Sequence, residues 1–387
     1  MLAVNRKLMV LGLIALLQGC SQLDDYMLGK DNTPKPSELS ALSNKANLVL
    51  HWSHSMSKPN KASTYLKLKP SIHGNMIYTT TASGIVQATN KNTGHVVWSK
   101  QLNTGIVSGP AVAEGYVAVG TSRSTVILLN QENGKKLKQL KVSGDALSKP
   151  LITGNIIIIK TIDGNLYAFN LKTGKKQWSS EHGAPNLILK ASASPVLMDK
   201  LILVGFSDGK LDAVDAQTGH QVWQKSIAFA SGFSDVERLV DIDADPIVKG
   251  NLVYLASYQG YVGALSLASG EFIWRKPASV YKNLAIDNDT LYLTDSDDVL
   301  WAYNNQNGQV KWKQPSFKAR GLTEPSLVGQ YLIVGDKTGF LHVLSTQNGE
   351  LMSRIQLSGP IEISPAVSGK NIYVMTANGK LNRLTVS

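Results

Sequence analysis

Apolar and polar positions alternate along this chain in short runs, and the runs are punctuated at fixed intervals. Between Pro195 and Lys225 it reads PVLMDKLILVGFSDGKLDAVDAQTGHQVWQK. The runs LILVGF, KLDAVD and HQVWQK are alternating or continuously apolar, are parted by SDG and AQTG, and follow a short leading run, PVLM. Alternation sends successive side chains to opposite faces of a strand, and Gly beside Asp, Asn or Ser supplies the positive-φ positions of tight hairpins. The stretch predicts a four-stranded antiparallel sheet.

The same unit recurs along nearly the whole chain. Its leading positions are Pro70, Pro110, Pro150, Pro195, Pro246, Leu284, Pro325 and Pro365. A glycine follows 24 residues later at Gly94, Gly134, Gly174, Gly219, Gly270, Gly308 and Gly349, and a tryptophan four further on at Trp98, Trp178, Trp223, Trp274 and Trp312. Spacing is constant inside the repeat and variable between repeats, as a stacked unit requires: its strands must keep register while its linkers need not. The eighth copy, from Pro365, meets Ser387 before a fourth strand can form, and LVLHWSHSM around Trp52 is strand-like and precedes the first copy. The expected fold is all-β: an eight-bladed β-propeller of four-stranded antiparallel blades, closed by an N-terminal strand that completes the last blade. Closure removes the open edges of a linear stack. A solenoid or two separate sandwiches would leave the missing strand unexplained.

The front of the chain is of another kind. MLAVNRKLMVLGLIALLQGC has a basic start at Arg6 and Lys7 and an apolar stretch from Leu8 to Leu17, too short for a membrane span. Leu17-Gln18-Gly19-Cys20 resembles a bacterial lipobox, which predicts a lipoprotein signal peptide over residues 1–19 and lipidation of Cys20. Ser21, rather than Asp, after the Cys favours release to an outer membrane. Residues 20–46 are polar, contain Pro34 and Pro36, and read as a flexible tether between the lipid and a propeller over 47–387.

Composition narrows the chemistry. Hydrophobic residues make up 43% and charged residues 17%, ordinary for a globular chain. The formal charge of +11 falls to +9 without Arg6 and Lys7, and in an exported lipoprotein a basic surface reads as solvated blade rather than a nucleic-acid site. Cys20 is the single cysteine, so no disulfide within the chain is possible. Segments such as NTGHVVW and QTGHQVW lack the strand-to-helix context of phosphate loops and read as hairpins, and the repeat-locked tryptophans read as packing between blades. His51 and His54 form an HxxH with no third metal ligand in view, and no nucleophile or zinc motif is present. No catalytic residue, cofactor or metal is expected.

Function is to be sought where the copies differ, in the linkers. From Gly to the next lead these span 21 residues after Gly174 and 27 after Gly219, against 14 to 17 elsewhere. Blade connections alternate faces, which puts the two long linkers side by side on one face, with hairpins such as Ser207-Asp208-Gly209. Adjacent enlarged loops make a candidate binding surface. The first contains APNLILK, 184–190, and the second IAFASGFSDVERLVDIDAD, 227–245. Leu187, Ile188 and Leu189 are apolar for a loop; the plainer alternative is that they begin the next strand, with the aspartates as solvated turn residues.

The lipobox, the TGxxxW-type hairpins and above all the run from Glu237 through Arg238, Asp241 and Asp243 to Pro246 resemble the BamB family of outer-membrane β-barrel assembly lipoproteins, over essentially the whole chain. The resemblance implies a non-catalytic scaffold that binds the periplasmic POTRA domains of the BamA insertase, with nascent outer-membrane proteins as a second class of partner and attachment to the membrane through its lipid. It implies partner-binding residues at Leu187, Leu189, Lys190, Arg238, Asp241 and Asp243. Lys190 departs from the family's usual Arg and lacks its planar fork. The aspartates could pair with basic groups on the partner or brace the loop. Two rival readings stand beside this one: a periplasmic binding module for glycans or unfolded strands, and a quinoprotein dehydrogenase, whose cofactor-binding cysteine pair this chain cannot supply.

Overall fold

A computed structural model describes residues 34–56, 66–185, 187–189 and 192–387. The expected signal peptide, Cys20, the start of the tether and Lys190 lie outside the described residues. A compact unit runs from Ser37 to Ser387.

Among the described residues the strands form eight four-stranded antiparallel sheets. Seven are built from consecutive strands, over 71–101, 106–141, 151–181, 196–226, 247–278, 285–314 and 326–356, and are numbered here as blades 1 to 7. Blade 8 takes three strands from 366–386 and its outermost strand from Leu48–Ser55. This is the eight-bladed propeller that the repeat predicts. Second and third strands are buried on both faces because each blade is covered by two neighbours, which explains continuous apolar runs such as IIIIK in Ile156–Lys160. The cores accordingly lie between blades: Ile158, Ala168 and Trp178 of blade 3 pack with Ile202, Val204 and Val214 of blade 4. Each such aliphatic side chain contributes about 1.5–3 kcal/mol on full burial.

The conserved spacing of Gly and Trp within the repeat has a geometric cause. The tryptophan on the outermost strand of one blade lays its indole on the hairpin glycine of the next blade. A Cβ on Gly308 would lie 2.4 Å from Trp274 Cε3, and one on Gly219 would lie 2.4 Å from Trp178 Cε3. The indole N–H then donates to a hairpin carbonyl of the same neighbour: Trp98 to Gln131 (3.0 Å), Trp178 to Ala216 (3.1 Å), Trp274 to Asn305 (2.8 Å) and Trp312 to Thr346 (2.9 Å). Trp223 makes the stacking contact, on Gly270, with no partner for its N–H among the described residues. In blade 2 Lys138 takes the tryptophan's place and covers Gly174 with its aliphatic stem.

Ring closure uses the same device. Leu48–Ser55 pairs antiparallel with Lys380–Val386, from Leu48 opposite Val386 to Ser55 opposite Lys380. Trp52 on that strand stacks on Gly94 of blade 1 and donates to Asn92 O at 3.1 Å. The chain just before it is docked as well. Part of the segment expected to be tether, from Ser37 to Ala46, lies along blade 7: Arg320 donates to Ser37 O (2.7 Å), Arg354 to Ser40 O (2.6 Å), and Lys45 N to Met352 O (2.7 Å). Leu39 packs on the cluster that holds Phe317 and Leu322, and Ala46 is buried. Leu39, half-buried Leu42 and Ala46 are the apolar side chains of this stretch that lose exposure.

A second set of contacts runs round the axis through the residues that precede the leading positions, Gly109 excepted. Backbone N–H groups there are accepted by the next blade's side chain in an unbroken series: Lys149 by Ser194 Oγ (3.2 Å), Ser194 by Asp245 Oδ1 (2.6 Å), Asp245 by Asn283 Oδ1 (2.8 Å), and Asn283 by Glu324 Oε2 (3.3 Å). Ser364 and Lys69 extend it to blades 8 and 1, donating to Glu324 Oε1 at 2.7 and 2.9 Å.

The stacking makes a direct prediction. Trp274→Ala should cost about 3–5 kcal/mol of folding free energy in chemical denaturation, through lost packing and an orphaned carbonyl. Gly308→Ala should also destabilise, because φ there is +70° and the indole occupies the Cβ position. A loss below about 1 kcal/mol for Trp274→Ala would show that the indole does not hold the blades together.

Candidate functional site

The two long linkers join the outermost strands Lys176–Glu181 and Gln221–Ser226 to the innermost strands Val196–Met198 and Ile247–Lys249. Leu187 and Leu189 therefore precede the strand of blade 4 and do not begin it. The second linker leaves the core at Ile227 and Ala228, is exposed from 229 to 238, and returns through buried Leu239, Val240, Ile242 and Ala244. Its return leg wedges between the hairpins of blades 4 and 5, with Ile242 N donating to Phe206 O (3.1 Å) and Tyr258 N to Asp241 O (2.9 Å). Gly205 admits it: a Cβ there would lie 2.3 Å from Ile242 Cγ2.

Asp241 and Asp243 are buried rather than solvated, at 0% and 1% exposure. Asp241 Oδ2 accepts the Leu189 backbone N–H at 2.6 Å, so it staples the second linker to the first. Burial pushes its carboxyl up to about 6, against the lowering effect of the bonds from Leu189 and Ser207. Asp243 faces inward. Burial, then the Asp241 charge, pushes it up to about 8, against the pull of Lys67 and Lys160. Lys160 is buried in turn, is brought down to about 8 by desolvation, and donates to Gly205 O at 2.5 Å. These polar groups lie behind the surface and fix the loops from within.

His182 anchors the root of the first linker. Its ring stacks on Phe206 at 3.7 Å between centroids, with Nδ1 2.9 Å from Asp212 Oδ2 and Nε2 3.1 Å from Asp208 Oδ1. Burial alone would lower its pKa, but the two carboxylates outweigh it and raise the imidazole to about 9. Both ring nitrogens donate, so the charged form is the one held.

Several large apolar side chains face outward among polar ones. Leu187 is 43% exposed, while Phe229 and Val236 are 66% and 60% exposed, and Phe233 is fully so. Arg238 is exposed beside them. The tip carrying Phe233 and Val236 is shaped by a capping box: Glu237 accepts from Phe233 N (2.7 Å) and Ser234 N (3.1 Å), and Ser234 Oγ accepts from Glu237 N (3.2 Å). Gln259 adds a bond from blade 5 to Val236 O at 3.3 Å. Reading the sequence for charge and for leucines passed over Phe229, Phe233 and Val236; the Ser234-x-x-Glu237 spacing was the available signal that this tip is ordered and presents them. Of the six residues singled out from sequence, the structure joins Leu189 to Asp241 directly, leaves Leu187 and Arg238 on the surface, and turns Asp243 to the interior. Among the described residues no group of three or more His, Cys, Asp or Glu side chains could hold a metal ion.

Fold and site define a class first: an eight-bladed β-propeller whose two enlarged linkers, braced by buried carboxylates, form an apolar platform on one face. A family model described as outer membrane protein assembly factor BamB matches residues 82–314 and 316–387. The chain belongs to that family. The outer membrane protein assembly factor BamB of Legionella pneumophila (strain Paris) is 59% identical over 381 residues, which cover 98% of this chain and 99% of the relative. The crystal structure of BamB from Moraxella catarrhalis superposes with a TM-score of 0.80 at 25% identity, over 88% of this chain and 100% of that one. The quinohemoprotein alcohol dehydrogenase from Comamonas testosteroni, with a TM-score of 0.70 at 13% identity over 87% of this chain and 76% of its own, shares the fold alone. The family relatives carry the name of an assembly factor, not of an enzyme.

His182 gives this site a measurable signature. Its imidazole resonances should titrate near pH 9, and Asp212→Asn should bring the midpoint down toward the ordinary value of 6.5. A raised folded-state pKa stabilises the fold fully below about 6.5, and that contribution is lost as pH rises toward 9. A midpoint near 6.5 in the unsubstituted protein would mean that the two carboxylates do not hold the ring.

Proposed function

We propose that this chain is a non-catalytic scaffold of the outer-membrane β-barrel assembly machinery that docks on the periplasmic POTRA domains of the BamA insertase and assists delivery and insertion of outer-membrane proteins. The observation that carries the reading is the bond between Asp241 and the Leu189 backbone. It locks two enlarged linkers together from within, so that Leu187, Leu189, Phe229, Phe233, Val236 and Arg238 can meet a partner as one surface. Rigid, exposed aromatic and aliphatic side chains lose little freedom on binding and supply most of the energy of a protein interface. In this reading Asp241 and Asp243 act by holding the linkers, since their carboxylates are buried. Arg238, exposed on the second linker, supplies a positive charge beside the apolar side chains, and Lys190, in the sequence of the first linker, is proposed as a second cation of the interface. Membership of a relative's family supports the assembly role, and the absence of catalytic machinery from the reading follows from that role.

The same reading places the protein at the outer membrane, anchored by lipid on Cys20 and facing the periplasm, with residues 20–36 as the link to the docked segment. Cys20→Ser should abolish labelling by radioactive palmitate and release the protein from the membrane fraction; a labelled or membrane-bound variant would contradict it.

The decisive test is binding of the protein to the tandem POTRA region of the same organism's insertase. Leu187→Ala combined with Phe233→Ala should weaken binding by about tenfold or more with an unchanged unfolding midpoint, since both side chains are exposed in the free protein. Asp241→Ala should weaken binding as well, by releasing the first linker. Unaltered affinity in both variants would remove these linkers from the interface and favour the reading as a binding module for glycans or unfolded strands.

A further inference from the structure

The axis of the propeller holds a cavity of about 880 Å³, lined by the innermost strands of several blades and by the circle of residues before the leading prolines. The residues around it are unevenly neutralised. Lys67 donates across the axis to Asp245 Oδ1 (2.6 Å) and Asp243 O (2.7 Å), Lys69 pairs with Glu324 (2.9 Å), and Lys282 pairs with Asp298 (3.0 Å). Lys149 has no such partner. Its ammonium donates to Ser71 Oγ at 3.0 Å, and no carboxylate oxygen among the described residues lies within 4.0 Å of it. Burial lowers its pKa, the Asp245 charge counteracts this, and Lys69 adds to the lowering. A desolvated ammonium bonded to a single hydroxyl retains capacity for an anion. The remaining charges on the lining are Lys337, exposed at the rim, and Glu362, whose carboxyl burial pushes up, toward its neutral form. Beside these polar groups the lining is apolar, with half-buried Ile72, Val112 and Ile363.

We propose that the axial cavity is a binding site for a small organic carboxylate, whose carboxylate pairs with the Lys149 ammonium between Ser71 and Lys69 and whose apolar body lies against Ile72, Val112 and Ile363. An uncompensated cation selects the charge, and the aliphatic wall selects against a fully hydrated anion. The residues that would hold the carboxylate are distinct from the exposed side chains of the linker platform: Ser71, Ile72 and Val112 lie on innermost strands, and Lys69, Lys149 and Ile363 on the segments that lead into them.

Hexanoate serves as the probe, with hexanol and inorganic phosphate beside it, on the full chain. Hexanoate should bind saturably to one site in a ligand-observed NMR titration, raise the unfolding midpoint, and shift the Lys149 Cε resonance with the same saturation curve. Hexanol and phosphate should each bind about tenfold more weakly or worse, since each supplies only one of the two recognition elements. Lys149→Met should lose hexanoate binding, Lys149→Arg should retain it, and Lys337→Met should leave it unchanged. Should Lys149→Met fail to fold, the Lys149 resonance of the unsubstituted protein decides: if hexanoate leaves it unmoved, the proposal falls. Hexanoate binding no tighter than that of hexanol, or phosphate binding as tight as that of hexanoate, would likewise overturn it.

Discussion

The architecture depends on one repeated contact, an indole of one blade laid on a hairpin glycine of the next. A four-stranded blade is apolar on both faces and cannot persist alone; its neighbours must cover it at a fixed distance and angle. The tryptophan sets both. Its ring fills the space where a Cβ would be, and its N–H catches a carbonyl of the same turn, so packing and hydrogen bonding specify a single docking geometry. Because the two residues stand four apart in the repeat, blades 1, 4, 5 and 6 each give an indole to the next blade and receive one from the blade before. Trp52 extends this relation across the closure, which makes the exchanged N-terminal strand part of the same mechanical circuit.

That circuit leaves the linkers free to differ, and the differences lie where the wide linkers meet. An insertion of several residues into a connection would ordinarily give a loose surface loop. Here the inserted chain is pinned by groups that are costly to bury. Asp241 and Asp243 lie beneath the surface with only partial hydrogen bonding, Asp241 Oδ1 and Asp243 Oδ2 having no partner among the described residues. Such groups survive because Lys67 and Lys160 are near and because the Leu189 amide donates to Asp241. The platform thus combines an energetically strained base with an apolar outer face, an arrangement suited to presenting side chains rather than to transforming a substrate.

Axis and platform divide the polar residues between them. Around the axis the circle of pre-proline side chains passes hydrogen bonds from blade to blade, and its acids fall on blades 5 and 7 while its lysines fall on blades 1 and 3. Lys67 joins two of these sectors by reaching across the axis to Asp245. The resulting field is asymmetric within a pseudosymmetric frame, and Lys149, though it feels the Asp245 charge, has no carboxylate in ion-pair contact among the described residues.

The blades were legible in the sequence because their constraints are local and periodic. Alternation, the turn residues and the 24-residue interval from Pro to Gly each report a register that a strand pair must keep, and the missing fourth strand of the last copy pointed to Trp52. The widened linkers were legible too, as departures from that interval. What the sequence could not carry was direction. Asp241 and Asp243 look like solvated turn residues in a string of acids, whereas the fold buries both; Phe233, directly after Ala230, Ser231 and Gly232, is left in water together with Phe229 and Val236. Ser37 to Ala46 read as tether until blade 7 supplied carbonyls, arginines and an apolar groove for it. The axial circle was equally hidden, since Lys149, Ser194, Asp245, Asn283 and Glu324 are dozens of residues apart and share nothing but their place before a repeat. Periodicity determines which residues occupy equivalent positions; only closure of the ring decides which of those positions face one another, because that depends on contacts between blades that no local pattern records.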